Sequence, residues 1–223
     1  TLRQFLQRLP RAQYGRFVLY LALMGMGGAI AGPFFGWYML SEQGVQFSTL
    51  GFALIGTANL VTLFCTQPWW GRMVDRYGSK RVLTIGGYGV AVIPALFMVS
   101  DNYWYWLVIH IYDGAVWAAF GIAASAYMFD IVTPPKRARC IAYQTLLGSA
   151  GGLVGAFTGA LLGMYLPALW PMPWHVLAVT ITHPFMVLLA LSTLLRLLPN
   201  ILLLGSFREF RLQSQSTVQA AAR

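Results

Sequence analysis

The sequence predicts an all-helical, polytopic membrane protein. Of its 223 residues, 58% are hydrophobic and 9% charged, whereas soluble domains carry roughly 25% charged residues, so an ordinary solvated surface is excluded. Apolar windows long enough to cross a hydrocarbon core of about 30 Å, which takes roughly 20 helical residues, recur along the chain with short breaks. The windows are uninterrupted rather than alternating, which selects helices over barrel strands as the lipid-spanning structure.

Six windows follow in order. The first runs from Phe17 to Leu40 and ends at the turn sequence Ser41-Glu42-Gln43-Gly44. The second runs from about Phe47 to Trp70 and gives way to a basic stretch. The third covers Val82 to Ser100 and stops at Ser100-Asp101-Asn102. The fourth, Trp104 to Met128, precedes Thr133-Pro134-Pro135, which cannot continue a helix. The fifth runs from about Cys140 to Leu166 and is closed by the prolines between Pro167 and Pro173. The sixth runs from Trp174 to Leu198.

The windows divide the chain into a cytoplasmic linker (1–15), a six-helix transmembrane body (16–198) and a cytoplasmic tail (199–223). In the tail, Gly205 to Leu212 sets Phe207 and Phe210 beside Arg208 and Arg211 and reads as a short interfacial turn facing headgroups. Ser214 to Arg223, rich in Ser, Gln and Ala, reads as disordered. The first window is too long for the apolar region of a signal peptide. A chain that begins at Thr1 rather than methionine reads as a fragment or a processed piece.

The net charge of +9 would suggest nucleic-acid binding in a soluble chain. Here its position gives another reading. Arg3, Arg8, Arg11 and Arg16 precede helix one; Arg72, Arg76, Lys80 and Arg81 lie between helices two and three; Lys136, Arg137 and Arg139 lie between four and five. Arg196, Arg208, Arg211 and Arg223 are placed at the end of the chain. The opposite loops hold only Glu42 and Asp101. All fifteen bases then fall on one side, which the positive-inside rule makes cytoplasmic, with both termini there. Cys65 and Cys140 are two isolated thiols that make neither a metal site nor a disulfide framework. No nucleophile triad, metal cluster or phosphate-binding glycine motif is present, so the reading is no enzyme, no cofactor and no metal.

The most specific stretch is Gly71-Arg72-Met73-Val74-Asp75-Arg76-Tyr77-Gly78-Ser79-Lys80-Arg81-Val82-Leu83, placed in a tight loop between helices two and three. It resembles the signature loop of the major facilitator superfamily. Gly71, Asp75, Arg76, Gly78, Lys80 and Leu83 match that pattern, while Ser79 replaces the first of two basic positions and Arg81 adds one just after. Independently of the family, the glycines allow a tight turn and close helix approach. Asp75 is suited to cap a following helix or to pair with an arginine of a neighbouring one, a contact that can be made in one conformation and released in another. The resemblance implies that Asp130 and Arg139, in the loop between helices four and five, join Asp75 and Arg76 in a cytoplasmic charge network that acts as a gate. Taken alone, Asp130 is equally a helix-end residue in water.

Two further features lie within the windows. Gly151, Gly155, Gly159 and Gly163 recur at four-residue spacing on helix five, a small-residue stripe where another helix approaches closely; tight packing and a sliding seam are both open readings. Asp113 lies near the middle of helix four, where a carboxylate must be paired, protonated or wet. His110, three residues earlier, shares its face. The two read as a substrate contact or a proton relay, or as a polar pair satisfied internally. Asn59 and Gln67 on helix two, Trp37 and Tyr38 on helix one, and His183, next to a Pro184 expected to kink helix six, are lesser lining candidates.

The resemblance covers about Arg16 to Leu198 and implies one six-helix half of a transporter made of three-plus-three inverted repeats, with substrate held at the interface with a second half. The lead-in of basic residues and the terminal tail resemble the C-terminal half of uncharacterised bacterial members; Asp113 departs from them where a small polar residue is expected. The function implied is secondary transport of a small solute by alternating access, with proton coupling as an option. Its partners would be the bilayer, the solute and the other half, in a bacterial cytoplasmic membrane, with no nucleic acid. The alternatives are a non-transporting relative that binds or delivers a ligand or pigment to a partner, and an inert half.

Overall fold

A computed structural model of the chain describes residues 13–42, 44–165, 174–176, 179–181 and 184–208. Its six α-helices are α1 (Gln13–Leu40), α2 (Thr49–Tyr77), α3 (Ser79–Leu96), α4 (Tyr103–Ile131), α5 (Arg137–Tyr165) and α6 (Pro184–Leu203). Five of them are long and apolar enough to cross a membrane. The other, α3, has 18 residues and carries Lys80 and Arg81 in its first turn.

The helix starts are chemically marked. Ser48 caps α2 by accepting from the Gly51 N–H at 3.1 Å. Asn102 caps α4 by accepting from the amides of Trp104 and Tyr105. Pro134 to Lys136 form a 3-10 turn that leads into α5.

Three elements differ from the sequence reading. The residues from Trp174, expected to open helix six, instead hold two short antiparallel strands, β1 (Trp174–Val176) and β2 (Val179–Ile181), with Trp174 opposite Ile181. The segment is rich in β-branched residues, which suit extended backbone. Helix α6 begins at Pro184, where a missing N–H costs no helical hydrogen bond, so this proline starts the helix rather than kinking it. The helix also runs past Leu198, through Pro199, to Leu203. Finally, Phe207, expected to face headgroups, is buried against Phe17, Tyr20 and Tyr127, with ring centroids 5.3–6.1 Å apart. Its apolar ring is better removed from the interface into an aromatic cluster. Phe210 and the rest of the tail lie outside the described residues.

The packing has a repeat built into it. Helix α1 lies along α5 and α6, α4 lies along α2 and α3, and α3 meets α6, while α1 and α4 touch little. This pattern is preserved when the first three helices exchange places with the last three, as a three-plus-three repeat requires. The glycine stripe explains the closest of these contacts. A Cβ at Gly151 would lie 2.6 Å from the Ala22 carbonyl oxygen, and Gly155 and Gly159 meet the carbonyls of Met26 and Ile30, one turn further on each time. The two backbones are thus in contact along α1 and α5. The remaining faces of α2 and α5 expose large apolar side chains such as Leu54, Phe64, Leu153 and Phe157.

Candidate functional site

Helix α4 carries His110, Asp113 and Trp117 on one face, and these line a cavity of about 170 Å³ with Gly32 and Phe35 of α1, Phe97 beyond α3, and Arg196 of α6. The cavity lies within the six-helix bundle. Asn59 of α2 reaches it from behind: its Nδ2 donates to Asp113 Oδ2 at 2.7 Å and to the His110 carbonyl oxygen at 3.0 Å, using both amide hydrogens. Gly114 makes this reach possible, because a Cβ there would strike the Asn59 carbonyl. His110 Nδ1 lies 3.0 Å from the Trp106 carbonyl oxygen. A carbonyl only accepts, so Nδ1 carries the hydrogen and Nε2 is the acceptor of the neutral ring. The His110 and Asp113 side chains therefore share a cavity, each tied to a different group. His183 lies outside the described residues.

Arg196 corrects the charge map. Counted among the terminal bases, it is in fact 6% exposed inside α6 and lines the cavity with Asp113. The sequence window ended at Leu198, two residues past it, whereas the helix continues to Leu203. Its Nη1 donates to the Val90 carbonyl of α3 at 3.0 Å, its Cζ lies 5.9 Å from the centroid of the Trp117 ring, and its Nε is buried without a hydrogen-bond partner. Gly27 and Gly28 give it room: Cβ atoms there would lie 2.9 Å from Arg196 Cγ and 3.4 Å from Nη2. Among the described residues, no ion pair within 4 Å joins Arg196 to Asp113.

Arg196 is the middle member of a buried polar row on α6. Ser192 donates to the Gly27 carbonyl at 2.6 Å; Asn200 donates to the Gly87 carbonyl at 3.1 Å and accepts from the Tyr20 hydroxyl at 3.0 Å. The four-residue spacing of Ser192, Arg196 and Asn200 in an apolar helix is the signal that would have revealed the row.

The signature stretch is mostly helix rather than loop. Asp75 and Arg76 stand exposed in the last turn of α2, and Gly78 alone separates α2 from α3. Gly78 has φ 90, a conformation that disfavours any residue with a Cβ, and its N–H closes α2 on the Val74 carbonyl at 2.9 Å. Helix α3 starts on Gly78, whose lack of a side chain leaves its own position without a cap. Instead the buried Ser79 donates to Asp130 Oδ2 at 2.6 Å, bringing the carboxylate from the end of α4 to the positive end of α3. Arg139 is exposed in the first turn of α5. It is Arg137 that folds back on α4, with Cζ 4.9 Å from the Phe129 ring centroid and Nη2 donating to the Phe129 carbonyl at 3.4 Å.

Of the other candidates, Gln67 lines a second space of about 500 Å³ between α2 and α4, with Trp117 and Ser125. Tyr38 donates to Asp101 Oδ1 at 3.3 Å, and Trp37 is exposed.

Comparison with known proteins identifies the family. The family profile described as Major Facilitator Superfamily matches residues 17–209. The multidrug resistance protein MdtG of Dickeya zeae is 30% identical over 155 residues, covering 66% of this chain and 37% of the relative. Multidrug resistance protein 2 of Bacillus subtilis is 26% identical over 115 residues, 52% of this chain and 28% of the relative. A probable peptide/nitrate transporter of Arabidopsis thaliana is 25% identical over 123 residues, 54% and 24% respectively. The chain thus spans well under half the length of these relatives.

Proposed function

The chain belongs to the Major Facilitator Superfamily, a family of multi-pass membrane transporters and not enzymes, and from that premise we propose that it forms one half of a secondary transporter that moves a small solute by alternating access. The observation that carries this reading is the signature stretch at the α2–α3 junction, where one glycine, in a conformation closed to other residues, joins two helices and Ser79 is hydrogen-bonded to Asp130 of the next repeat. Asp75, Arg76, Asp130 and Arg139 form the gate in this proposal. The mid-bundle cavity supplies the coupling site: Asp113, oriented by Asn59 and accompanied by His110, takes up and releases a proton. The exposed apolar faces of α2 and α5 meet the second six-helix half. The basic residues at the α2–α3 and α4–α5 junctions set that end toward the cytoplasm in a bacterial cytoplasmic membrane.

The test uses the complete protein in proteoliposomes with an imposed pH gradient. Gradient-driven flux is expected in the wild type, and Asp113→Asn is expected to leave flux that no longer responds to the gradient. Flux in Asp113→Asn with wild-type gradient dependence would remove the coupling assignment. A protein that binds ligands but moves none would favour a ligand-delivering relative.

A further inference from the structure

Two spaces in the molecule share one wall. Among the described residues, Trp117 alone lines both the cavity that holds Asp113 and Arg196 and the larger space between α2 and α4. The first is charged and lies within the bundle. The second, of about 500 Å³, is lined by Leu63, Gln67 and Ser125 among others and by no charged group. Trp117 also engages both charges of the first. Its indole N–H donates to the Asp113 carboxylate, one turn back on α4, and the Arg196 Cζ lies 5.9 Å from its ring centroid. Asp113 and Arg196 attract each other across the cavity. The indole meets each with the part of opposite polarity, a donor edge for the carboxylate and an electron-rich face for the guanidinium.

The hold on the ring depends on the charge of Asp113. An ionised carboxylate offers two oxygens to two donors, Asn59 Nδ2 and the Trp117 indole. Protonation turns one oxygen into a donor and removes the charge that strengthens both bonds. Asn59 is fixed a second time by the His110 carbonyl, so the indole is the donor that lets go. Phe120 blocks one side of the ring, edge-on at 5.6 Å. Toward the α2–α4 space the wall is bare at Gly121, where a Cβ would meet nothing within 4 Å. We infer that Trp117 is a positioning residue that couples the two spaces: its ring stands clear of the α2–α4 space while Asp113 is ionised and turns into it when Asp113 is neutral. A part of the solute that fills this space keeps the ring back and thereby favours the ionised carboxylate, since such a linkage runs equally in both directions. The inference rests on the coupling role proposed for Asp113 and names the side chain that carries its charge state toward the solute. The other ionisable groups beside Asp113 are His110 and Tyr112 of α4 and Arg196 of α6. Asn59 of α2 and the α1 and α3 walls, such as Phe35 and Pro94, supply none.

The experiment uses the complete protein in detergent, with Cys65→Ser and Cys140→Ser to remove the native thiols and Gln67→Cys as a reporter on the α2 wall of the space. The probe is N-ethylmaleimide at one fixed pH. Asp113→Asn, which also offers a single oxygen to the two donors, stands for the neutral form. It is expected to slow alkylation at position 67 by about fivefold or more, the scale of coupling between groups in contact. In Trp117→Phe, which keeps a ring and loses the N–H, Asp113→Asn is expected to change the rate by less than about twofold, the limit for uncoupled sites. A Trp117 that only fills space would leave the response to Asp113→Asn intact. An undiminished response in Trp117→Phe therefore overturns the inference, as does an unaltered rate when Asp113→Asn is made with Trp117 in place. Trp117→Met, a flexible apolar filler without a donor, takes the place of Trp117→Phe if that variant fails to fold. Labelling needs no solute, so the two readings fail separately. A Trp117-dependent response without flux keeps the coupling and removes the transporter, whereas gradient-driven flux with a response independent of Trp117 does the reverse.

Discussion

At mid-bundle, Asp113 and Arg196 are buried and tied to uncharged partners in a shared cavity, whereas at the α2–α3 junction Asp75 and Arg76 stand exposed on a helix end. The first arrangement fixes charge at high cost and holds it with few contacts, so each contact matters to stability. The second places charge where water screens it, so each of its contacts contributes about 1 kcal/mol or less to the folded state. Any functional weight at the junction must therefore lie in the balance between conformations, while at mid-bundle stability and function are joined.

The largest effect expected is at the centre. Arg196→Ala strips the cavity of its base, leaves Asp113 without a counter-charge and frees the Val90 carbonyl. The unsatisfied buried carbonyl alone costs about 1–3 kcal/mol, and the lost long-range attraction to Asp113 adds to it, so the denaturant midpoint of the detergent-solubilised protein should fall accordingly. A loss below about 1 kcal/mol would show that Arg196 is solvated after all. Asn200→Leu should cost less, about 2–3 kcal/mol, because it leaves the Tyr20 hydroxyl and the Gly87 carbonyl unsatisfied but uncharged. Asn200→Asp, measured in parallel, separates lost hydrogen bonding from altered shape, since it keeps the acceptor for Tyr20 alone.

At the junction the effects shrink. Ser79→Ala removes the hydrogen bond to Asp130, a charge-assisted contact of about 1.5 kcal/mol. The thermal midpoint should drop modestly, and Ser79→Thr, with its hydroxyl retained, should recover part of it. If Ser79→Ala were as costly as Arg196→Ala, the junction would be a fixed structural joint rather than a releasable one.

Much of this architecture is legible in the sequence, and the parts that are not share one cause. Windows of apolar residues locate α1 through α5 because lipid demands a long unbroken run, and the four-residue recurrence from Gly151 marks the α1–α5 contact without any coordinates. Asp113 stands out because a carboxylate in an apolar helix is rare. Arg196 is lost by the same reasoning, since it falls near the end of an apolar window that stops at Leu198 and a base near an end is assigned to the surface. Asn59 is legible as a polar residue in an apolar helix, but its partner is not: it reaches Asp113 because Gly114, 55 positions later, lets α2 approach α4. Ser79 reads as a defect in a family pattern, yet it is the residue that holds Asp130. Positions defined by tertiary approach escape a one-dimensional reading, and the glycines opposite them are the trace they leave.

The smallest stability change and the sharpest contrast are expected at Asp75. Asp75→Asn changes an exposed side chain in the last turn of α2 by one charge, and the removal of an anion from the negative end of a helix is itself slightly favourable. Unfolding of the variant should therefore lie within about 1 kcal/mol of the wild type, the range of an exposed charge contact, with expression unchanged. Flux in proteoliposomes should nevertheless be abolished, because the gate needs a charge that is engaged in one conformation and released in the other. Retained wild-type flux would sink the gate assignment and leave the junction as a topological marker. Lost flux together with a large loss of stability would instead make Asp75 a structural residue and dissolve the contrast with mid-bundle. Asp75→Glu distinguishes the two: it preserves the charge with one added methylene, so a gate governed by charge recovers part of its flux, while a joint governed by shape does not.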